Sequence, residues 1–223
     1  VEYNPKDGRG IQDSHSKVWT DPDKEQRRLE LREQFIESEE IKEARKLIRI
    51  AKNHEKMVTK DLLSISKNVG SEMAGLEYRL KTSESLARKL TKEPNAKMRD
   101  ILRYTNISNV ENQVDVYRKT IEQLIEKGYN ISAVKNYWND HNNPYNGINI
   151  NLLTPSKYEF ELQFHTQESF DLKNDKLHKL YEKQRVLDPI KDNDEISKLD
   201  VEMDELSSKL FRPKNIESIG GSD

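Results

Sequence analysis

Arg79, Lys81, Arg88 and Lys89 crowd four cations onto one short stretch, with Thr82, Ser83 and Ser85 among them. Thr82 and Ser83 are N-cap types, and Leu86 and Leu90 fall on one face of the helix that would follow. Cations on a strand-to-helix turn, where backbone N–H groups lack helical partners, suit an anion such as a polyphosphate. A solvated basic face is the plainer reading of such a cluster taken alone. A second stretch alternates Phe160, Leu162 and Phe164 with Glu159, Glu161, Gln163 and His165. In a strand this puts Glu161, Gln163 and His165 on one side, as a catalytic sheet face requires and as any solvent-facing side also looks. Between the two lies Asp100, in a run over residues 98–105 that otherwise reads as strand. Strands disfavour aspartate, so Asp100 either holds a cation such as Mg²⁺ or points to solvent at a strand edge.

The elements that must position these residues follow from periodicity. Residues 1–20 read as a flexible leader, with Pro5, Gly8 and Gly10. Asp21 and Pro22 open a helical segment over residues 21–70. Its first helix carries the stripe Leu31, Phe35, Ile41, Ala44, Leu47, Ile48 and Ala51, and its second, over residues 55–69, stops at Gly70. A strand over residues 76–81 leads into the basic turn. A helix over 109–127 ends at Gly128, and strands follow over 129–138, 148–153 and 158–165, the last two as a hairpin. Thr166 caps a helix to about residue 185, Pro189 ends that unit, and Ile196, Leu199, Met203, Leu206 and Leu210 mark a last helix before a frayed Gly220-Gly221 tail. The order argues an α+β fold, a mixed sheet of about five strands covered by helices, with helical extensions at both ends.

The basic turn, the acidic run and the Glu-x-Gln strand come in this order with helix-sized gaps. Together they resemble the synthetase domain of RelA/SpoT-type alarmone enzymes, in a small or toxin-like variant. That family carries an Arg-x-Lys-x-x-x-Ser-(x)₃-Lys loop, a strand with a metal-binding Asp, and a Glu-x-Gln-x-(Arg/His)-Thr strand. Here these read Arg79, Lys81, Ser85 and Lys89; then Asp100; then Glu161, Gln163, His165 and Thr166. The resemblance covers residues 55–186 or so, and it divides the chain into the leader, the helical segment, a synthetase core over 71–186 and a C-terminal helix and tail over 187–223.

The resemblance implies a nucleotidyltransferase-like fold and a pyrophosphokinase that passes the β,γ-diphosphate of ATP to a ribose hydroxyl. Arg79, Lys81, Ser85 and Lys89 would hold the ATP phosphates, with Arg88 a further candidate. Asp100 would bind Mg²⁺, and Glu161 would serve as metal ligand or as the base. Gln163 and His165 would position substrate, and Lys135 and Asn136 are candidate phosphate or ribose contacts. Two departures stand out. The family strand reads Asp-(Ile/Leu)-x-Gly-x-Arg, whereas Arg103 here stands at a different offset from Asp100. The family's acceptor loop reads Gly-Tyr-x-Ser with the Tyr stacking on guanine, whereas Tyr145 here precedes Gly147. Tyr145 still offers a stacking face, but the acceptor stays open among GDP or GTP, an adenine nucleotide and the 3′ end of a tRNA.

Composition bounds the rest. Charged residues at 35% outweigh hydrophobic ones at 33%, which predicts a modest core and long solvated helices. A net charge of -2 confines any attraction for anions to local patches. With no cysteine, disulfides and thiolate metal sites are excluded. No apolar run approaches a membrane span and no signal-peptide pattern opens the chain. The histidines at 15, 54, 141, 165 and 178 are dispersed, so no helical His-x-x-x-His metal site is suggested. Val1 in place of Met suggests a piece of something longer. With the helical leader and the resemblance to a synthetase that lacks a hydrolase half, it fits a toxin-like module of a larger secreted or phage-encoded protein. For such a module the resemblance implies action in the cytoplasm and an immunity protein as a candidate partner. The competing class is a non-catalytic helical interaction or nucleotide-sensing module.

Overall fold

The computed structural model describes residues 16–17, 22–34 and 38–220. The expected cap at Asp21, the stripe residue Phe35, Gly221 and most of the leader lie outside them. A mixed sheet takes strands in the order β1 (Ser16–Lys17), β2 (Glu72–Ala74), β3 (Arg103–Ser108), β6 (Glu159–Thr166), β5 (Ile148–Leu153) and β4 (Asn130–Asn136). β3 and β6 run parallel at its centre, and β4, β5 and β6 form an antiparallel meander. The α+β architecture and the mixed sheet stand as expected, with the two-residue β1 added at one edge.

Two strands differ from their expected positions. Residues 76–81 do not form one: Gly75, at φ 62, turns the chain out of β2 into a 3-10 turn over Leu76–Tyr78. Leu80 then makes a single antiparallel bridge to Leu102. β3 starts later than expected and runs on through Asn106 and Ser108, polar residues that do not read as strand. Asn106 is buried and donates to Ser71 Oγ at 2.7 Å, which lets an amide sit inside the sheet. Asp100 consequently lies ahead of the strand, and the expectation of an acid within it is corrected.

The helices are α1 (Pro22–Gln34), α2 (Glu39–Val69), α3 (Ser83–Lys92), α4 (Gln113–Glu126), α5 (Gln167–Leu172), α6 (His178–Gln184) and α7 (Asn193–Ser207). The two helices expected on either side of residue 53 are one, α2, continuous through the polar run Lys52-Asn53-His54. Burial explains the continuity: Ala44, Ala51, Val58, Leu62 and Ile65 make one unbroken buried stripe across that run. Gly70 closes α2 in the left-handed conformation at φ 72. A π turn over Lys173–Leu177 joins α5 to α6.

The core fills one face of the sheet. Tyr104, Phe160, Leu162, Phe164, Ile148 and Ile150 pack there against α2 and α4, with Tyr117 edge-on to Phe164 at 5.2 Å. The alternation read from residues 159–166 therefore holds, and it leaves Arg103, Thr105, Asn149, Glu161, Gln163 and His165 on the opposite face. Thr105, Gln163 and Asn149 lie side by side in register, as do Arg103, Glu161 and Asn151. The chain after α7 is not a free tail: Ile216 and Ile219 are buried in the main core. No helix among the described residues is long and apolar enough to cross a membrane.

Candidate active site

Lys81 and Lys89 reach Asp100 because the Leu80–Leu102 bridge lays the basic turn along the segment ahead of β3. Lys81 N donates to Ile101 O at 2.9 Å and Arg103 N to Arg79 O at 2.7 Å. Lys81 Nζ then meets one Asp100 oxygen at 2.5 Å and Lys89 Nζ the other at 2.9 Å. Burial works against the Asp100 charge, but the two ammonium groups outweigh it and hold the carboxyl well below the usual carboxylate range. Burial lowers Lys81 despite its partner. Thr82 caps α3 by accepting from Ser85 N at 3.2 Å, and Ser85 Oγ accepts from Thr82 Oγ1 at 2.9 Å. These groups, with Arg88, line a basic cavity of about 340 Å³ between α1, α3 and α6.

Arg79 departs from its expected part. It is buried, and its Nε pairs with Glu55 of α2, itself buried and held by Thr59. The guanidinium thus ties the turn to α2. Sequence reasoning missed Glu55, although an acid on the stripe between Ala51 and Val58 was its signal.

A second cavity, of about 390 Å³, opens on the polar sheet face beneath the segment that links α5 to α6. Thr105, Gln163, Asn149, Tyr145 and Lys173 line it, and Tyr78, Arg103 and His178 line both cavities. Arg103 thus stands at the junction, and its guanidinium has neither hydrogen bond nor ion pair among the described residues. Glu161, beside it in register, accepts through Oε1 from Asn149 Nδ2 at 3.0 Å and Gln163 Nε2 at 2.5 Å. Gln163 accepts in turn from Lys173 Nζ at 3.0 Å. Lys173 and Asn149 were not singled out in the sequence. The alternation of β5 could have pointed to Asn149, whereas the π turn that aims Lys173 has no sequence signature.

Three expected contacts sit elsewhere. Asn136 is buried and donates to the Ile216 and Ile219 carbonyls, so it anchors the C-terminal segment. Lys135 is exposed on the edge strand β4 and lines neither cavity. His165, expected to position substrate, is fully buried behind Tyr145 and lines neither cavity. Burial, seconded by Lys173, keeps its imidazole neutral, far below the ordinary histidine value.

Mg²⁺ asks for oxygen ligands and is held in nucleotide sites by one or two carboxylates together with phosphates and waters. No group of three His, Asp or Glu side chains among the described residues could hold a metal alone. Asp100, ionised and lining the basic cavity, fits as the single protein ligand of an ion that arrives with a polyphosphate. Glu161 Oε1 already accepts two amide protons, from Asn149 and Gln163.

A mixed sheet with a polar central face, a basic cavity at one side and an aromatic and amide cavity at the other defines an α+β fold built around a two-part polar cleft. No protein-family profile and no curated protein matches the sequence. Solved structures do match. The type VI effector Tas1, crystallised with its immunity protein, aligns with a TM-score of 0.51 at 19% identity, over 75% of this chain and 95% of that one. Small alarmone synthetase 2 from Bacillus subtilis aligns with a TM-score of 0.51 at 17% identity, over 74% and 94%. The chain shares the fold of the small alarmone synthetases, and at this identity the likeness is one of fold.

Proposed function

We propose that the chain is a nucleotide pyrophosphokinase, which moves the β,γ-diphosphate of ATP onto a ribose hydroxyl of an acceptor nucleotide and releases AMP. The observation that carries this reading is the meeting of two unlike cavities at Arg103, within a sheet register of Glu161. A polyphosphate lying along Lys81, Ser85, Arg88 and Lys89 ends where an acceptor beside Tyr145 and Gln163 begins. Lys81 and Lys89 exchange Asp100 for the phosphates, and Asp100 becomes free to hold Mg²⁺. When bound, Mg²⁺ neutralises the charge that builds on the diphosphate. The acceptor oxygen bonds to the β-phosphorus, the bond from that phosphorus to the α,β-bridging oxygen breaks, and Glu161 takes the hydroxyl proton. Arg103 offers free N–H donors at the point where the two substrates meet.

Tyr145 presents a ring to the acceptor base, with GDP or GTP the first acceptors to test, then adenine nucleotides and deacylated tRNA. Fold likeness to an effector supports, for this chain, a toxin-like module acting in the cytoplasm and checked by an immunity protein. The purified chain should be incubated with Mg²⁺, γ-labelled ATP and each acceptor in turn. Label should move to one acceptor with AMP released, and Glu161→Gln should lower the rate by about 10²–10⁴-fold, the usual contribution of a general base. Absence of transfer to every acceptor overturns the reading.

A further inference from the structure

Tyr145 carries a feature that base stacking does not use: its hydroxyl is the middle of a line of hydrogen bonds that ends on Glu161. Ser169 Oγ lies 3.0 Å from His165 Nδ1, and His165 Nε2 lies 2.9 Å from the Tyr145 hydroxyl. That hydroxyl donates to Asn149 Oδ1 at 2.7 Å, and Asn149 Nδ2 donates to Glu161 Oε1 at 3.0 Å. Because the Tyr145 proton goes to Asn149, the bond from His165 must come from Nε2–H. A neutral imidazole of that tautomer leaves Nδ1 as an acceptor facing the Ser169 hydroxyl, which also lies within donating distance of the Thr166 carbonyl at 3.2 Å. From His165 onward each donor therefore points the same way, toward the carboxylate, and aligned bonds of this kind polarise one another.

Two further observations agree with this direction. Burial raises the Tyr145 phenol well above its ordinary value, and the nearby Glu161 adds to it, so the hydroxyl keeps its proton to donate. Gly147 lies where a Cβ would come within 2.8 Å of the His165 ring and 3.0 Å of the Tyr145 hydroxyl. The backbone thus closes over one side of this junction.

We propose that Tyr145, held by His165, is a positioning residue for the reaction: through Asn149 it fixes the Glu161 carboxylate so that Oε1 is occupied and Oε2 is left for the acceptor hydroxyl. Without the Tyr145 hydroxyl the Asn149 amide is free to rotate, and its oxygen would repel the carboxylate it now anchors. The proposal rests on the reading of Glu161 as the base.

Tyr145→Phe separates this role from stacking, since the ring stays and only the oxygen is lost. With the acceptor that the parent uses, Tyr145→Phe should leave the acceptor KM within about 2-fold and lower kcat by about 10–100-fold, as misplacement of a reacting group does. Asn149→Ala should show the same split, and the double variant should be no slower than either single one, because both cut the same line. Melting temperatures of the variants separate loss of position from loss of fold. Parental kcat in Tyr145→Phe, or a higher acceptor KM with kcat unchanged, overturns the positioning role while transfer itself stands. An additive double variant overturns it also. A parent that transfers to no acceptor removes the pyrophosphokinase reading and this inference with it.

Discussion

His165 shows how a residue type can be right and its part in the site different. A histidine in the Glu-x-Gln strand invites a role in positioning substrate, yet it is fully buried and its Nε2 is engaged with the Tyr145 hydroxyl. Its depressed value has a consequence for stability. The unfolded chain takes up a proton below the ordinary histidine value near 6.5 that the folded chain refuses, so folding is favoured above that pH and loses ground below it. The loss runs at up to about 1.4 kcal/mol per pH unit. The urea midpoint of the parent should therefore fall between about pH 8 and about pH 5.5, and in His165→Gln this part of the fall should vanish. His54, also lowered by burial, contributes equally to both proteins and cancels in the difference. An equal fall in the two would show that His165 accepts a proton in the folded state.

α2 is the element that sets the basic turn in place. Along its buried stripe it carries Glu55 and Thr59, which meet Arg79 and the Tyr104 hydroxyl, so one helix fixes both the turn and the strand β3. The burial of an ion pair between helix and turn is costly unless its geometry is kept, and here Thr59 and the Leu76 carbonyl share in keeping it. The end of the helix matters as much as its middle, because only Gly70 and Ser71 separate it from β2. Gly70 supplies the left-handed turn with open space around it. Gly70→Ala therefore meets no clash but carries a backbone penalty of about 1 kcal/mol, to be read as a lower denaturant midpoint with unchanged slope. An unchanged midpoint would show that the turn is not held in that conformation.

Across the whole molecule, the C-terminal segment returns to brace the loop that follows β4. Ile216 and Ile219 enter the core, Asn136 donates to both of their carbonyls, and Arg212 bonds the Trp138 carbonyl. The stretch from Tyr137 to Gly147, which supplies Tyr145, is thus held from behind by residues far along the chain. Ile216→Ala should cost about 2–5 kcal/mol, as large-to-small changes in a core do, and should lower the melting temperature clearly. A shift of less than about 1 °C would place Ile216 outside the cooperative core.

Alternation and capping are local rules, and they made part of this protein legible from its residues alone. The period of two in residues 159–166 assigned the inner and outer faces of β6, because side chains on a strand must alternate whatever lies beyond. Thr82 and Thr166 marked helix starts, and Gly70 a helix end, because caps satisfy backbone groups within a few residues of themselves. The α+β class followed from the order of helices and strands, and the resemblance to alarmone synthetases from the order of three motifs. Pairing was decided by the tertiary structure. β3 could extend through Asn106 and Ser108 only because β6 and Ser71 receive them, and a strand over 76–81 gave way to a bridge because Gly75 turns the chain first. Arg79 became a strut, Asn136 an anchor and His165 a buried partner of Tyr145 through groups 24, 80 and 20 residues distant. Such assignments depend on which groups meet after folding, since burial and hydrogen bonding act through space and leave no period along the chain.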